Sequence, residues 1–492
     1  MIFLILISIL WFIAFSKKLL FWVYLWQLKE YHIGRFRDHF STAKGKGLIF
    51  NYLLLVKILL LLGIFFSGRT GFVEYKPYLL YFVGFVFFIE SLVVFRNILQ
   101  GSLKKPVLTR KVAVILSTGV SIMVLVLFFL FIVELNTARF TFSLLFLDTL
   151  APVVLSVLVL CYQPLAVLLR NRMIKAAKRK RAGFQNLLVI GVTGSYGKTS
   201  TKEYLAAILS EKFKVLKTKE HQNSEAGIAQ CILDELGPEH EIFVCEMGAY
   251  NRGGIKFLCN IVRPKIGVLT GVNEQHMATF GSQENIIRTK YELIESLPEN
   301  GIAFFNGNNK YCVELYNKTQ IKKKLYGEGT ASSQEENLSG AKVVAQELGL
   351  SQAEIEQGCQ KIKPWPEIKK GVNGIDFIDA TYSANPTGVI ADLDHLAKKQ
   401  GKKVIVMPCL IELGKASKEV HQRIGQKIGE VCDLAIITTK DRFREIKKGA
   451  PKVLFLEKPD KIVEKIKSFC QAGDTVLLES RVPKILIKNL TK

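Results

Sequence analysis

The sequence predicts a chain in two halves, an N-terminal helical transmembrane domain of about five spans followed by two α/β domains. Three observations carry that prediction. First, the chain of 492 residues is 49% hydrophobic with a mean hydropathy of +0.23, too apolar for a soluble protein, yet its formal charge of +24 is too high for one buried in lipid. Second, the long apolar runs fall before about residue 170, and the remainder of the chain alternates short apolar runs with amphipathic stretches. Third, a glycine-rich turn near residue 195 joins an apolar run to an amphipathic one, as strand, tight loop and helix are joined in parallel α/β sheets.

A bilayer core needs about 20 apolar residues per helix, and five stretches qualify: 2–26, 48–66, 77–95, 112–134 and 141–169. Lys17 and Lys18 interrupt the first, which still reads as a helix because it lacks the charged start and small-residue cleavage site of a signal peptide. Basic residues alternate along the connections. The first holds Lys29, Arg35, Arg37, Lys44 and Lys46, and the third Arg96, Lys104, Lys105, Arg110 and Lys111. The second holds Arg69 and Lys76, and the fourth Arg139. The positive-inside rule makes the first, third and exit segments cytoplasmic. A multi-pass protein of the cell membrane is expected, its N-terminus outside and its α/β domains in the cytoplasm.

The exit run Arg170, Arg172, Lys175, Lys178, Arg179, Lys180 and Arg181 reads as an orientation signal and anionic-lipid contact, not as a nucleic-acid patch, because it comes directly after a span. Lys57, Glu90 and Asp148 fall inside apolar spans, where a charge costs about 2.5–3.5 kcal/mol on insertion scales. Either Lys57 pairs with Glu90, or these residues meet the head group of a lipid-linked substrate. Nine cysteines show neither a C-x-x-C pair nor metal-ligand spacing, which suits reduced core thiols.

Residues 187–202, LLVIGVTGSYGKTSTK, place the turn in its context. Gly191, Gly194 and Gly197 let the backbone turn its N–H groups inward at a helix start, a nest for phosphate oxygens. Lys198 would reach the terminal phosphates and the Thr199 hydroxyl would hold Mg²⁺. The loop Thr193, Gly194, Ser195, Tyr196, Gly197, Lys198, Thr199 and Ser200 is therefore the candidate ATP site. Its spacing is not that of G-x-x-x-x-G-K-[ST], since Gly191 precedes Gly197 by six residues. A second apolar strand, Glu241–Cys245, ends at Glu246, a carboxylate able to hold Mg²⁺ or orient a nucleophile. Three domains are expected: a transmembrane domain over 1–182, a central ATP-binding domain over 183–372, and a second parallel-sheet domain over 373–492 whose strands begin with Ile375–Asp379. The break falls at the glycine-bearing turn GVNG, 371–374.

The stretches GVTGSYGKTSTKE, HQNSEAGIA, EMGAYNRGGI, LTGVNEQHMATFGS with RTKYEL, NGIAFFNGNN, DATYSANPTG, IELGKASKEVHQRIG and GDTVLLESR run in this order through about 187–480. Together they resemble the Mur ligase family, most closely its D-alanyl-D-alanine-adding member. The resemblance implies a phosphate-loop central domain and a Rossmann-like C-terminal domain that closes over it. ATP would phosphorylate a substrate carboxylate, and an amine would attack the acyl phosphate to give an amide in peptidoglycan precursor synthesis.

By the same resemblance Lys198, Glu246, His276 and Lys290 are the catalytic positions, with Glu246 and His276 on Mg²⁺ and Lys290 a carbamylated ligand of a second ion. Asn306 would contact adenine, and Asn223, Asn385, Glu412 and Arg481 the substrates. The implied partners are a muramyl peptide, UDP-linked or lipid-linked, and an amino acid or D-alanyl-D-alanine, beside a lipid bilayer and with no nucleic acid.

Departures from the family pattern bear on the reading as well. The spans occupy the place of the usual domain for the uridine-diphosphate sugar. The acidic pair of the family reads Asp379-Ala380, so Asp379 would have to hold the ribose from one position away; Ser383 replaces an asparagine, while Tyr382, Ala384 and Asn385 match. ENLSGA keeps Asn337 but has Glu336 and Gly340 in place of a histidine and an asparagine, and an expected arginine is missing near Trp365. MPCLIELG keeps Glu412, Leu413 and Gly414, and LESR keeps Arg481. A membrane-bound ligase that polymerises glutamate, a non-catalytic membrane scaffold and a transport ATPase are the alternatives. Against the last, LSGA at 338–341 is succeeded by a helical pattern instead of a strand ending in Asp-Glu.

Overall fold

The computed structural model describes every residue except 68–75, 135, 220–221, 331, 363–367, 382–384 and 491–492. Arg69, Trp365, Tyr382, Ser383 and Ala384, named above, lie outside the described residues, as do the side chains of Lys44 and Lys76. The chain forms two compact units, Met1–Arg170 and Asn171–Lys492.

The described residues of the first unit form helices α1 (Ile2–Leu28), α2 (Ile33–His39), α3 (Ala43–Ile49), α4 (Tyr52–Ser67), α5 (Lys76–Leu99), α6 (Arg110–Val133), α7 (Thr137–Thr149), α8 (Ala151–Cys161) and the start of α9 (Gln163–Ala182). Five segments are long and apolar enough to cross a membrane by length and composition: Ile2–Leu28, Gly45–Ser67, Pro77–Leu99, Arg110–Val133 and Ala151–Ala182. α1 is the central helix; its Ile7, Trp11, Phe15, Leu19, Trp22 and Trp26 are buried. Outward phenylalanines such as Phe85, Phe128 and Phe129 are exposed, the inverse of a soluble bundle.

The stretch 141–169, expected as one span, is instead broken into α7, α8 and the beginning of α9. Pro152 and Pro164, second residues of α8 and α9, lack the N–H that a continuous helix would use. Asp148, Ser156 and Gln163 meet Lys18, Trp26 and Lys111 in turn, so α7 and α8 run beside α1 toward the end where α1 stops and α6 begins.

The expected pair of Lys57 and Glu90 forms, at 2.6 Å, within a larger cluster. Lys57 also meets Asp148 at 2.5 Å, and Lys18 meets Asp148 at 2.6 Å and Glu90 at 3.6 Å. Four helices thus contribute one charge each, two of either sign, and every buried charge has an opposite neighbour. Lys18, which interrupts the apolar pattern of α1, is there for this reason.

The second unit contains two six-stranded sheets. The first has strands β1 (Leu188–Thr193), β2 (Val215–Lys217), β3 (Ile242–Glu246), β4 (Ile266–Leu269), β5 (Ile302–Asn306) and β6 (Lys322–Tyr326) in the order β2-β3-β1-β4-β5-β6, all parallel. The strands are nearly continuous apolar runs because helices cover both faces. Between β1 and β4 the chain order switches sides, and crevices for ligands open at such points beyond the strand ends.

The second sheet has β7 (Ile368–Lys370), β8 (Asp376–Ala380), β9 (Lys403–Met407), β10 (Leu434–Ile437), β11 (Val453–Phe455) and β12 (Thr475–Glu479), ordered β11-β10-β9-β12-β8-β7. Only the pairing of β7 with β8 is antiparallel among the described strands. β7 precedes the break expected at 371–374, because that turn is the hairpin connection into β8, with Gly374 at φ +71°.

Candidate functional site

Thr193 closes β1, and the loop after it leads into α10 (Lys198–Leu209). That helix starts at Lys198, directly after Gly197 of the loop. Two glycines draw the loop tight. A Cβ at Gly194 would lie 2.1 Å from Thr270 Oγ1, and one at Gly197, where φ is +76°, 2.4 Å from Asn337 Oδ1. Asn337 also accepts from the Thr201 hydroxyl at 3.2 Å. Tyr196 OH receives Asn309 Nδ2 at 3.2 Å, and burial raises the phenol pKa. Ser195 is buried, whereas Thr199 and Ser200 are partly open. Lys198 Nζ is folded back on its own loop, donating to Gly194 O at 2.8 Å and Ser195 O at 3.3 Å. Burial lowers its pKa and the neighbouring Glu246 opposes the shift.

Glu246 stands at the end of β3, in register with Val192 of β1. Its Oε1 accepts from Asn223 Nδ2 at 2.9 Å, and its Oε2 lies 3.5 Å from the fully buried ammonium of Lys202. Asn223, expected to contact substrate, is thus brought beside the Glu246 carboxylate. His276, at φ +65°, comes after the loop that leaves β4, and its Nδ1 is 2.7 Å from Glu412 Oε2. Burial lowers the imidazole pKa, while the Glu412 carboxylate acts the other way. Glu412 is itself at φ +65°, and its carbonyl accepts from Ala278 N at 3.0 Å, so this loop of the second-sheet domain is tied to the turn that carries His276.

Lys290 lies on the helix Gln283–Glu295 and is 3% exposed. Burial, then the Lys198 cation, push its pKa down to about 7, against an opposing pull from Glu292. The mutual influence of Lys198, Glu246, His276 and Lys290 marks them as one electrostatic neighbourhood.

Other expected residues stand differently. Asn306, at the end of β5, has its amide engaged within the protein: Nδ2 donates to Thr270 O and to Glu336 Oε2, both at 3.0 Å, and Oδ1 accepts from Asn308 N. Glu336 therefore takes up the asparagine that would meet adenine, a role not read from sequence. Asp379 is held by Lys369 at 3.0 Å and by Thr381, on its own sheet. Asn385 caps the helix Pro386–Ala397 and accepts from Asn273 Nδ2 at 3.3 Å, which also donates to Thr387 Oγ1 at 2.8 Å. Arg481 comes just after β12 and is exposed.

Asn273, like the ion pair of Glu274 with Arg423 at 3.3 Å, bridges the two sheet domains. Beside these bridges is a cavity of about 640 Å³ lined by Asn308, Tyr311, Thr387 and Arg423 among others. Neither Asn273 nor Lys202 was singled out in sequence, though both lie in motifs that were, VNEQH and GKTSTKE. Their partners are distant in the chain, so only the fold reveals what they do.

The residues present fit a nucleoside triphosphate with Mg²⁺. The loop opens onto a helix N-terminus, and Glu246 Oε2 is buried with no hydrogen bond, facing the Lys202 ammonium at 3.5 Å, an oxygen with acceptor capacity left for a cation. Among the described residues no three His, Cys, Asp or Glu side chains converge on one point, so no all-protein cage is present. Mg²⁺ is commonly held by one or two carboxylates plus phosphate oxygens and water. Glu246, His276 and Thr199 are the side chains that would serve.

Residues 192–362 match the family model described as the Mur ligase middle domain, and residues 367–481 that of the Mur ligase glutamate ligase domain. The chain is 31% identical over 325 residues to the UDP-N-acetylmuramoyl-tripeptide–D-alanyl-D-alanine ligase of Synechocystis, covering 59% of this chain and 71% of that one. To the Bacillus subtilis protein of the same name it is 28% identical, over 59% of this chain and 72% of that. Among solved structures it is similar to MurF from Thermotoga maritima in complex with ADP, with 26% identity, a TM-score of 0.58, and 65% of this chain and 84% of that chain covered.

Proposed function

The chain belongs to the Mur ligase family, and from that premise we propose that it adds D-alanyl-D-alanine, or a single amino acid, to the carboxylate of a muramyl peptide at a membrane surface. It is an ATP-dependent ligase forming carbon–nitrogen bonds. The observation that carries the acyl-phosphate chemistry is the gathering of Lys198, Glu246, His276 and Lys290 around one tight loop at the ends of β1, β3 and β4, and the relatives' names support D-alanyl-D-alanine as the amine.

Each group has work in that reaction. Loop amides at the start of α10 and the Lys198 ammonium offset charge on the transferring phosphoryl group. Leaving the loop carbonyls for a phosphate exchanges two neutral acceptors for a charged one, a stronger bond. Glu246 and His276 would hold Mg²⁺, which would supply positive charge to offset that of the phosphates and the substrate carboxylate. Glu412 keeps the His276 ring oriented through Nδ1, as partners of metal-binding histidines usually do. Because Glu412 belongs to the second-sheet domain, the bond forms only when that domain is docked on the first.

The five long apolar helices cross the cell membrane in this reading, with the N-terminus outside and the catalytic unit on the cytoplasmic side. The neutral cluster of Lys18, Lys57, Glu90 and Asp148 supports it, since a charge cluster satisfied from within is what an apolar surrounding requires. The family matches begin at residue 192, so the helical unit stands ahead of them, and the muramyl peptide is carried either by UDP, as in the relatives' names, or by a membrane lipid.

The test is phosphate release by the detergent-purified chain with ATP and Mg²⁺, given the UDP-linked or the lipid-linked muramyl tripeptide together with D-alanyl-D-alanine. Release that requires both substrates and is lost in Lys198→Ala is expected, and the precursor that works names the carrier. Release indifferent to both substrates would overturn the assignment.

A further inference from the structure

The basic helix α9 does not spend its charges in one way. Arg181 is buried, its guanidinium donating to Val262 O, Phe184 O and Leu187 O at 2.9, 2.7 and 3.2 Å, and Lys180 Nζ donates to Leu233 O at 2.9 Å. These two, with the buried Ile174 and Ala177, fasten the helix to the first sheet's domain. Arg172, Lys175 and Arg179 are exposed. At 100° per residue their spacing of three and then four places them on one stripe, opposite the buried face.

One turn and more earlier on the same stripe stand Leu165, Leu168 and Leu169, exposed by 52%, 49% and 55%. One face of α9 therefore passes from apolar to cationic near residue 170. Beside the cationic stretch Lys178 Nζ lies 5.4 Å from the ring of Phe257, which is 40% exposed and next to the exposed Lys256. The nearby carboxylate of Glu292 is turned onto the backbone amides of Gly253 and Lys256 at 2.6 and 2.9 Å, and so caps a helix start.

We infer that this face, Arg172, Lys175, Lys178, Arg179 and Lys256 around Phe257, rests on an anionic lipid surface, the cations on head-group phosphates and the ring at the boundary of the acyl region. The inference rests on the membrane reading above. Charge complementarity and the apolar-to-basic switch carry it: leucines suit the acyl boundary, cations the phosphates a few ångströms beyond, and amphipathic rings favour that depth. A nucleic acid would meet the cations equally well but gives the leucines no partner.

Phe257→Trp in the full chain, reconstituted into vesicles of phosphatidylcholine with or without phosphatidylglycerol, tests it by quenching with lipids brominated near the head group. The signal is the difference from the wild-type chain, with Leu454→Trp on β11 as a control. Quenching at position 257 at least twice that at 454 is expected in anionic vesicles. It should fall by half or more at about 1 M salt, where the Debye length is about 3 Å, and in the variant carrying Arg172→Glu, Lys175→Glu and Arg179→Glu. Equal quenching in neutral and anionic vesicles, or none in either, overturns the inference. Resistance of the wild-type chain to alkaline carbonate extraction is read in parallel. If the chain resists extraction and quenching fails, only this inference falls; if carbonate extracts the chain, the membrane reading falls with it.

Discussion

Lys290→Met should stabilise the catalytic domain below neutral pH while destroying ligation. The ammonium of Lys290 is buried near the Lys198 cation, and its pKa is about 7 in the folded chain, against about 10.4 when unfolded. Between those values the unfolded chain binds the extra proton, so stability rises with pH across that window and the penalty is complete below it. Three to four pKa units at about 1.36 kcal/mol each amount to on the order of 4–5 kcal/mol. Methionine has similar length and no charge, so it should recover much of that at pH 6 and almost none at pH 10. Hydrogen exchange of the segment 283–295, compared between variant and wild type at each pH in CO₂-free buffer, measures it directly. Equal protection at pH 6, or greater protection of the wild type, would refute the reasoning. The same shift leaves about half the amine neutral at pH 7, ready to add to CO₂ with loss of a proton. A carbamate signal in ¹³C-bicarbonate NMR should therefore be present in the wild type and missing in Lys290→Met.

Three further outcomes are expected. Glu412→Gln keeps the shape of the loop but weakens the hold on His276 Nδ1, so activity should fall about 10- to 100-fold with a raised Mg²⁺ requirement, read from rate against Mg²⁺ concentration. Asp148→Asn leaves Lys18 and Lys57 sharing Glu90 and should cost about 3–5 kcal/mol, seen as loss of folded protein in detergent, whereas adding Lys18→Met should restore much of it. Glu479 is fully buried beside Asp392, and burial raises its pKa well above normal, with the Asp392 carboxyl, itself raised to about 6, adding to the shift. The folded state therefore resists ionising Glu479, stability falls as pH rises above about 4.3, and Glu479→Gln should raise the thermal midpoint at pH 8 more than at pH 4.

Legibility of the site tracked sequence distance. The loop 193–200 and the strand before it were readable because turn, nest and helix start are made by neighbouring residues. Strands β9 to β12 are of the same readable kind, because each is a short apolar run bounded by polar residues. The fifth apolar stretch was harder: hydropathy alone ran it through Pro152 and Pro164, and the backbone breaks there. The loop lysine was legible as a candidate phosphate ligand, but its resting bonds to Gly194 and Ser195 carbonyls were not.

By itself the sequence determined which segments are apolar enough to leave water, where a glycine-bearing loop opens a helix and in what order the strands and helices come. Those properties depend on residues a few positions apart. Only the tertiary structure decided that Lys18 and Lys57 share Asp148, that Glu336 takes up Asn306, that Asn273 reaches Thr387 and that Glu412 orients His276. These partners are between 30 and 136 positions apart, and strand order and helix packing, not local pattern, set which of many possible groups meet. The pKa of Lys290 belongs with them, because burial and a second cation act through space.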